Sequence, residues 1–225
     1  MEIPMFRFII RSLAVLCLGS TMACNASSAA VKIPNPATDE PAAKTKGSAT
    51  VVLAGGCFWG IQAVFEHVKG VTGVTAGYSG GSAETAEYET VSTGRTGHAE
   101  SVKIIYDPSQ VSYGQLLKVY FSVAHDPTEL NRQGPDSGTQ YRSSIFYAND
   151  EQKRIALAYI DQLNQAKIFS QPIVTQVVAL KAFYPAEAYH QDYAMHHPNE
   201  PYIAINDLPK VEHLRQTLPE LYVGK

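Results

Sequence analysis

From residue 49 onward the chain falls into short stretches of recognisable period. Ala49–Ala54, "ATVVLA", is a β-branched apolar run and reads as a buried strand. Gly55 and Gly56 break it. The period then changes: Phe58, Ile61, Val64, Phe65 and Val68 recur at the 3–4 spacing of one helix face. "VTGVTAGY" returns to strand character and stops at "SGG". Residues 81–97 are polar and glycine-rich, a loop. "HAESVKIIYD" alternates and ends at Asp107-Pro108, a strand with a stop. A helix is expected from Tyr113 to Val123 and an irregular loop from Gly134 to Gln140. "RSSIFYA" reads as a strand, and Asp150 as the cap of a helix from Glu151 to about Lys167. "IVTQVVAL" is a further strand. A short helix is expected from Pro185 to about Met195, and the tail reads as helix and loop. The order βαββαβαβ predicts an α+β domain with a mixed sheet and helices mainly on one face.

The pattern before residue 49 differs. Arg7 and Arg11 precede a short apolar run, Ser12–Ala23, too short to span a bilayer as a stable helix. Residues 1–24 therefore read as a secretion signal; the competing reading is a buried first helix. Residues 25–48 are Ala, Pro, Ser and Lys with almost no large apolar side chain, the composition of a disordered linker. The globular domain is then 49–225. "TMAC" resembles a bacterial lipoprotein box ending at Cys24, with Thr21 a poor match; cleavage near Ala26–Ala30 is the alternative. Both routes place the domain outside the cytoplasm, in a periplasm, on a membrane only if Cys24 is lipidated.

Composition is that of an ordinary globular protein: 45% apolar, 17% charged, net charge −3, without the basic patch of a nucleic-acid binder. The three cysteines, Cys17, Cys24 and Cys57, are too few and too badly spaced for a disulfide framework or a zinc site. Cys57 alone lies in the domain, in "GGCFWG", where a strand meets a helix. Unpaired N–H groups and the helix dipole at such a junction favour an anion and would lower the thiol pKa toward neutrality. The position is equally compatible with a buried structural cysteine. Phe58 and Trp59 follow it; adjacent helical residues cannot both face a core, so one of them must flank the thiol and form an apolar wall. Ordinary packing accounts for Phe58 on its own. Glu100, early in its strand, is a candidate general acid if burial raises its pKa, or else a solvent-facing strand residue. The polar segment "HDPTELNRQGPDSGTQYRSS" is long for a mid-domain loop and offers Asp136 and Tyr141.

"GGCFWG", "GYSGG", "TGHAESVKIIYDP", "HDPTELNRQGPDSGTQYRS" and "YHQDY", in this order, resemble the A-type peptide-methionine sulfoxide reductases from about Ala49 to Pro198. The resemblance implies a two-layer α+β fold with a ferredoxin-like βαββαβ core. It implies reduction of the S epimer of methionine sulfoxide, free or in proteins; no bound cofactor or metal is expected, and a monomer is expected, although the sequence does not give the oligomeric state. By position Cys57 matches the nucleophile, Phe58 and Trp59 the pocket for the substrate methyl, and Glu100 the acid that protonates the sulfoxide oxygen. Tyr88 and Tyr141 match phenols near that oxygen, and Asp136 a carboxylate that organises the site. Gln62 stands where many members carry Glu. Many members also carry further cysteines that attack the oxidised nucleophile, whereas Phe58–Lys225 contains none. This chain therefore looks like a one-cysteine member that depends on an outside thiol, thioredoxin-type or small. The competing enzyme class is a cysteine hydrolase in which His98, His125 or His190 serves Cys57 as base; the non-enzymatic one is a secreted binding module with a structural Cys57.

Overall fold

β1 (Ala49–Ala54) lies inside a six-stranded sheet in the computed structural model, which describes residues 33–224. Its β-branched run is buried on both sides: Val51 and Leu53 face one core, Val52 and Ala54 another. It pairs antiparallel with β3 (Ala99–Tyr106) and with β6 (Ser144–Tyr147). β2 (Val71–Ser79) pairs antiparallel with β3, and the short β8 (Phe183–Pro185) continues beyond it. At the opposite edge β7 (Gln176–Ala179) runs parallel to β6. The sheet order is β7-β6-β1-β3-β2-β8. Its inner four strands, β6-β1-β3-β2, are joined through two helices in the ferredoxin-like βαββαβ manner, with β1 and β2 flanking the antiparallel β3.

The helices supply one face. α1 (Phe58–Glu66) turns Phe58, Ile61, Val64 and Phe65 onto β2 and β3, and each such side chain contributes about 1.5–3 kcal/mol by leaving water. α3 (Tyr113–Val119) and α4 (Asp150–Gln165) extend the same core with Leu116, Leu117, Ile155 and Tyr159. The other face has a smaller cluster of Val52, Ala54, Ala99 and Phe146, with Leu180 and Phe183 against it. Among the described residues no helix is long and apolar enough to cross a membrane.

Several boundaries differ from the sequence reading. α3 ends at Val119 and continues as a π-helical turn over Tyr120–Ala124. Asn149, not Asp150, caps α4: its extended backbone lets the side chain accept the Gln152 N–H, and Asp150 is already the first helical residue. The loop 81–97 contains a helical turn, α2 (Tyr88–Val91). The polar segment forms a small hairpin of β4 (Arg132–Gln133) and β5 (Asp136–Ser137). No single helix covers 185–195. Pro185 ends β8, Ala188–His190 is a 3₁₀ turn, and α5 (Tyr193–His196) starts after Asp192 takes a left-handed backbone.

The linker expectation fails for residues 33–48. Ile33 enters the main core, and Tyr159 donates to the Pro34 carbonyl at 2.7 Å. Asp39 accepts from the Ser112 hydroxyl and, at 2.8 Å, from the Gly114 N–H at the start of α3. A few anchoring side chains suffice where the averaged composition is poor. The secretion signal, the lipoprotein box with Cys24, Cys17 and residues 25–32 lie outside the described residues.

Candidate active site

Cys57 is the N-cap residue of α1, at the point where β1 leaves the sheet. The two glycines before it are needed by their surroundings. A Cβ on Gly55 would come within 2.8 Å of the His125 ring, and Gly56 has φ +99°. Beneath the helix start lies Glu100. It points from β3 to the helix-bearing face, opposite Tyr78 of β2 in the antiparallel register. Its Oε2 accepts the Phe58 N–H at 3.0 Å, so a strand carboxyl serves one of the donors that a helix start leaves unpaired. Glu100 is 2% exposed. Burial, against the pull of that N–H and helped by the neighbouring Asp136 and Asp207, pushes its carboxyl up to about 8. It is therefore not a solvent-facing strand residue, and it holds a proton at neutral pH.

The thiol does not follow the expectation built on its helix-start position. Cys57 is 8% exposed; burial first, then Glu100 and Asp207, pushes it well above the ordinary thiol range. The Trp59 N–H and the Lys210 ammonium oppose this and lose. A helix terminus is worth at most about 2 kcal/mol, whereas full burial shifts a pKa by up to about 3–5 units. The resting site is thus protonated at both sulfur and carboxyl.

Trp59 is the surface aromatic that the pattern required. Its ring stacks on Tyr193 of α5 at 4.0 Å and meets Tyr202 edge-on at 6.1 Å. Phe58 turns inward, against Tyr78 at 5.8 Å and His190 at 5.1 Å. Tyr88 opens α2, with its N–H donating to Glu187 at 2.8 Å and its ring 4.4 Å from His190. Burial and then Glu100 push the Tyr88 phenol up. The Tyr141 phenol is also pushed up, by burial and then by Glu100, Asp136 and Cys57. Asp136, on β5, accepts the Tyr202 hydroxyl. All seven expected residues thus gather around the start of α1, drawn from β3, α1, α2, β5 and the turn that follows it.

Two contributors, Tyr202 and Asp207, went unread in the sequence, and a third, His190, was read only as a possible base for Cys57. Tyr202 bridges Asp136 and Trp59, and its phenol is pushed up by burial and then by Cys57. Asp207 is fully buried against Gly60, its Oδ1 3.1 Å from Lys210 Nζ. His190 accepts the Trp59 indole N–H on Nδ1 at 3.2 Å. His190 lies within the "YHQDY" stretch, whereas Tyr202 and Asp207 lie beyond it, in a tail whose helical period carries no signal for chemistry. α6 (Leu208–Thr217) brings that tail against α1.

Among the described residues no histidine nitrogen is paired with the Cys57 sulfur. His98 is spent on the Gly81 N–H and the Ser82 carbonyl, His125 on Tyr120 and Ser143, and His190 on Trp59. Burial lowers His125 to about 4, so it is neutral. None of these three is placed on the sulfur as the base of a hydrolase would be. Among the described residues no group of three or more His, Cys, Asp or Glu is placed to hold a metal ion.

The family model of peptide methionine sulfoxide reductase matches residues 49–221. The chain belongs to the peptide methionine sulfoxide reductase family. The match covers the sheet, α1 and the tail through α6, nearly the whole of the described fold after residues 33–48, which form an N-terminal strap. The chain is 64% identical to peptide methionine sulfoxide reductase MsrA 2 of Mesorhizobium japonicum, over 83% of this chain and 95% of that one. It is 55% identical to the protein of the same name from Synechocystis, over 82% and 87%. Among solved structures it resembles reduced Mxr1 of Saccharomyces cerevisiae, at 29% identity and TM-score 0.62 over 72% and 95% of the chains. It also resembles methionine sulfoxide reductase A of Corynebacterium diphtheriae, at 32% identity and TM-score 0.59 over 77% and 91%.

Proposed function

We propose that the chain reduces the S epimer of methionine sulfoxide, free and in proteins, outside the cytoplasm, with Cys57 as sole nucleophile. The observation that carries this is the Glu100 carboxyl: buried, protonated at neutral pH and hydrogen-bonded to the residue after the thiol. A sulfoxide oxygen leaves only once protonated. Oε2 is held by the Phe58 N–H, so the other carboxyl oxygen carries the proton toward the substrate oxygen. As the Cys57 sulfur forms its bond to the substrate sulfur it gives up its own proton, which restores Glu100. The S–O bond to the substrate breaks, the same oxygen with its proton bonds the Cys57 sulfur, and the bond between the two sulfurs breaks, so that methionine leaves and Cys57 is left as a sulfenic acid. The substrate sulfur gains two electrons and the cysteine sulfur loses two. Trp59 walls the substrate methyl, Tyr88 and Tyr141 hydrogen-bond near its oxygen, and Asp136 orders the site through Tyr202.

Between Phe58 and Lys225 there is no second cysteine. Two external thiols, from a thioredoxin-type protein or a small thiol, therefore return the sulfenic acid to thiol, with release of water and a disulfide. Export is supported by Arg7, Arg11 and the apolar run Ser12–Ala23, with lipidation of Cys24 the anchored variant of the same proposal. The test uses the protein begun at Ile33, so that the full packed strap is kept. Given excess methionine sulfoxide without reductant, it makes one methionine per chain and stops with Cys57 trappable by dimedone; Cys57→Ser makes none. Two methionines per chain, or turnover by Cys57→Ser, overturns the one-cysteine mechanism. The mass of the mature protein from the source cell tests export, which predicts an N-terminus at or after Cys24.

A further inference from the structure

We propose that His190 is a positioning residue for this reaction: its Nδ1 holds the Trp59 indole N–H and so fixes the aromatic wall beside Cys57, and protonation of the imidazole releases that wall. An indole nitrogen only donates. At 3.2 Å from Trp59 Nε1, His190 Nδ1 must therefore be the bare acceptor, which puts the proton of the neutral ring on Nε2. The ring is 2% exposed and touches three aromatic residues of the site: Tyr88 at 4.4 Å, Phe58 at 5.1 Å and Trp59 at 5.7 Å. Nε2, at the far side, has no hydrogen-bond partner; the nearest carboxylate oxygen, Glu187 Oε2, is 3.9 Å away. A buried N–H left without an acceptor is costly. The fold accepts that cost on Nε2 and keeps Nδ1 for Trp59.

A second proton would go to Nδ1 and set two donors against each other, Nδ1–H and the indole N–H. The groups facing the ring decide what else titrates there. From α2 it is Tyr88, and from β2 Tyr78 reaches the cluster through its hydroxyl on Glu187; both phenols are pushed up by burial and so neutral. From its own segment they are Tyr189, at 4.2 Å, and Glu187. Against the push of burial, the Tyr88 N–H and the Tyr78 hydroxyl hold Glu187 below its ordinary value. His190 is then the group of this cluster that changes charge between about pH 5 and 8. Burial, opposed by Glu187, lowers it, so the change falls on the acid side of 6.5. Below that point the wall loosens, and the substrate methyl loses its fixed contact.

The inference rests on Trp59 as substrate wall, but its first readout needs no turnover. Trp59 is the only tryptophan in the chain, so intrinsic fluorescence reports on it directly. The full chain is titrated from pH 8 to 4.5. A single fluorescence step below pH 6.5 is expected; it disappears in His190→Asn, whose Oδ1 can accept the indole N–H but does not titrate. It persists in His197→Asn, which changes the histidine stacked on the far side of Tyr193. With a sulfoxide substrate at pH 7.5, His190→Leu raises KM about tenfold with little change in kcat, and His190→Asn recovers most of that loss. Persistence of the step in His190→Asn, its loss in His197→Asn, or an unchanged KM in a folded His190→Leu overturns the proposal. If His190→Leu does not fold, the two Asn variants decide.

Discussion

Replacing Glu100 by Gln separates what the carboxyl does for chemistry from what it costs the fold. The amide keeps the size of the side chain and an oxygen for the Phe58 N–H at 3.0 Å, but cannot deliver a proton. A carboxyl at its ordinary 4.5 when unfolded and at about 8 when folded takes up protons on folding between those values. Stability then falls as pH rises through this window, because the unfolded chain binds fewer protons than the folded one. The linkage relation makes the titrating Glu cost about 1 kcal/mol at pH 5, about 3 at pH 7 and about 4 at pH 8, relative to a side chain that does not titrate. These are upper figures, since the amide N–H₂ must also find partners in a buried site.

Glu100→Gln is therefore expected to match or fall below the wild type near pH 4.5 and to gain on it steadily toward pH 8. Urea unfolding of both proteins at pH 5, 6, 7 and 8 measures the difference. The same substitution should slow single-turnover sulfoxide reduction by roughly 10²–10⁴. A stability difference that stays flat across the range refutes the raised carboxyl, even if activity is lost. A rate loss below about threefold refutes the acid role, even if the stability slope appears, and moves the role to Tyr88 or Tyr141. Gain of stability with loss of rate is what an active site that stores strain in a buried acid predicts.

Two further substitutions test how the surroundings hold the site. Gly60→Ala places a Cβ 2.1 Å from Asp207 Oδ1 and 2.8 Å from Lys210 Nζ, and the buried carboxylate has nowhere to go. It should destabilise by about 1–3 kcal/mol in urea unfolding, and an unchanged midpoint would show that α6 is not seated on α1 as described. Asp39→Ala removes the acceptor shared by the Ser112 hydroxyl and the Gly114 N–H. A loss of about 1–2 kcal/mol, with faster protease cleavage within residues 33–48, is expected; wild-type protease resistance would argue against a strap anchored at this point.

Local pattern carried the centre of the fold and little of its periphery. β1 and α1 were legible because a β-branched run gives way, across two glycines, to a 3–4 period. That junction located Cys57. Glu100 was legible only as a carboxyl early in its strand, equally readable as a solvent-facing residue, and its burial had no local signal. The cap of α4 was ambiguous because Asn149 and Asp150 are adjacent and both residue types cap. Residues 185–195 misled because Pro185 and the aromatics that follow fit a helix start, while β2 recruits Pro185 and its two predecessors as an edge strand. Asp207 and Tyr202 had no local signature, since their roles arise only when the tail packs on α1. Gly60 held the one hint: a glycine inside a helix costs about 1 kcal/mol, and it is present because Asp207 occupies the place of its side chain.

The same tail explains how a chain with one thiol in its domain arranges the site. Tyr202 and Asp207 come from this segment, pack beside the start of α1 and hold Asp136 and Lys210 in place. The segment thus closes the site from one side while bringing no cysteine to it. With Cys57 only 8% exposed, a second protein cannot lay a broad surface on the sulfur. An incoming thiol is expected to take the same route as the substrate, past Trp59, after methionine has left. Substrate and reductant then compete for one entrance. Steady-state kinetics with a thioredoxin-type reductant should accordingly be ping-pong, with inhibition at high sulfoxide that is relieved by raising the reductant. A reductant rate indifferent to saturating sulfoxide would mean a second route to the sulfur, and a looser C-terminal seal than Tyr202 and Asp207 provide.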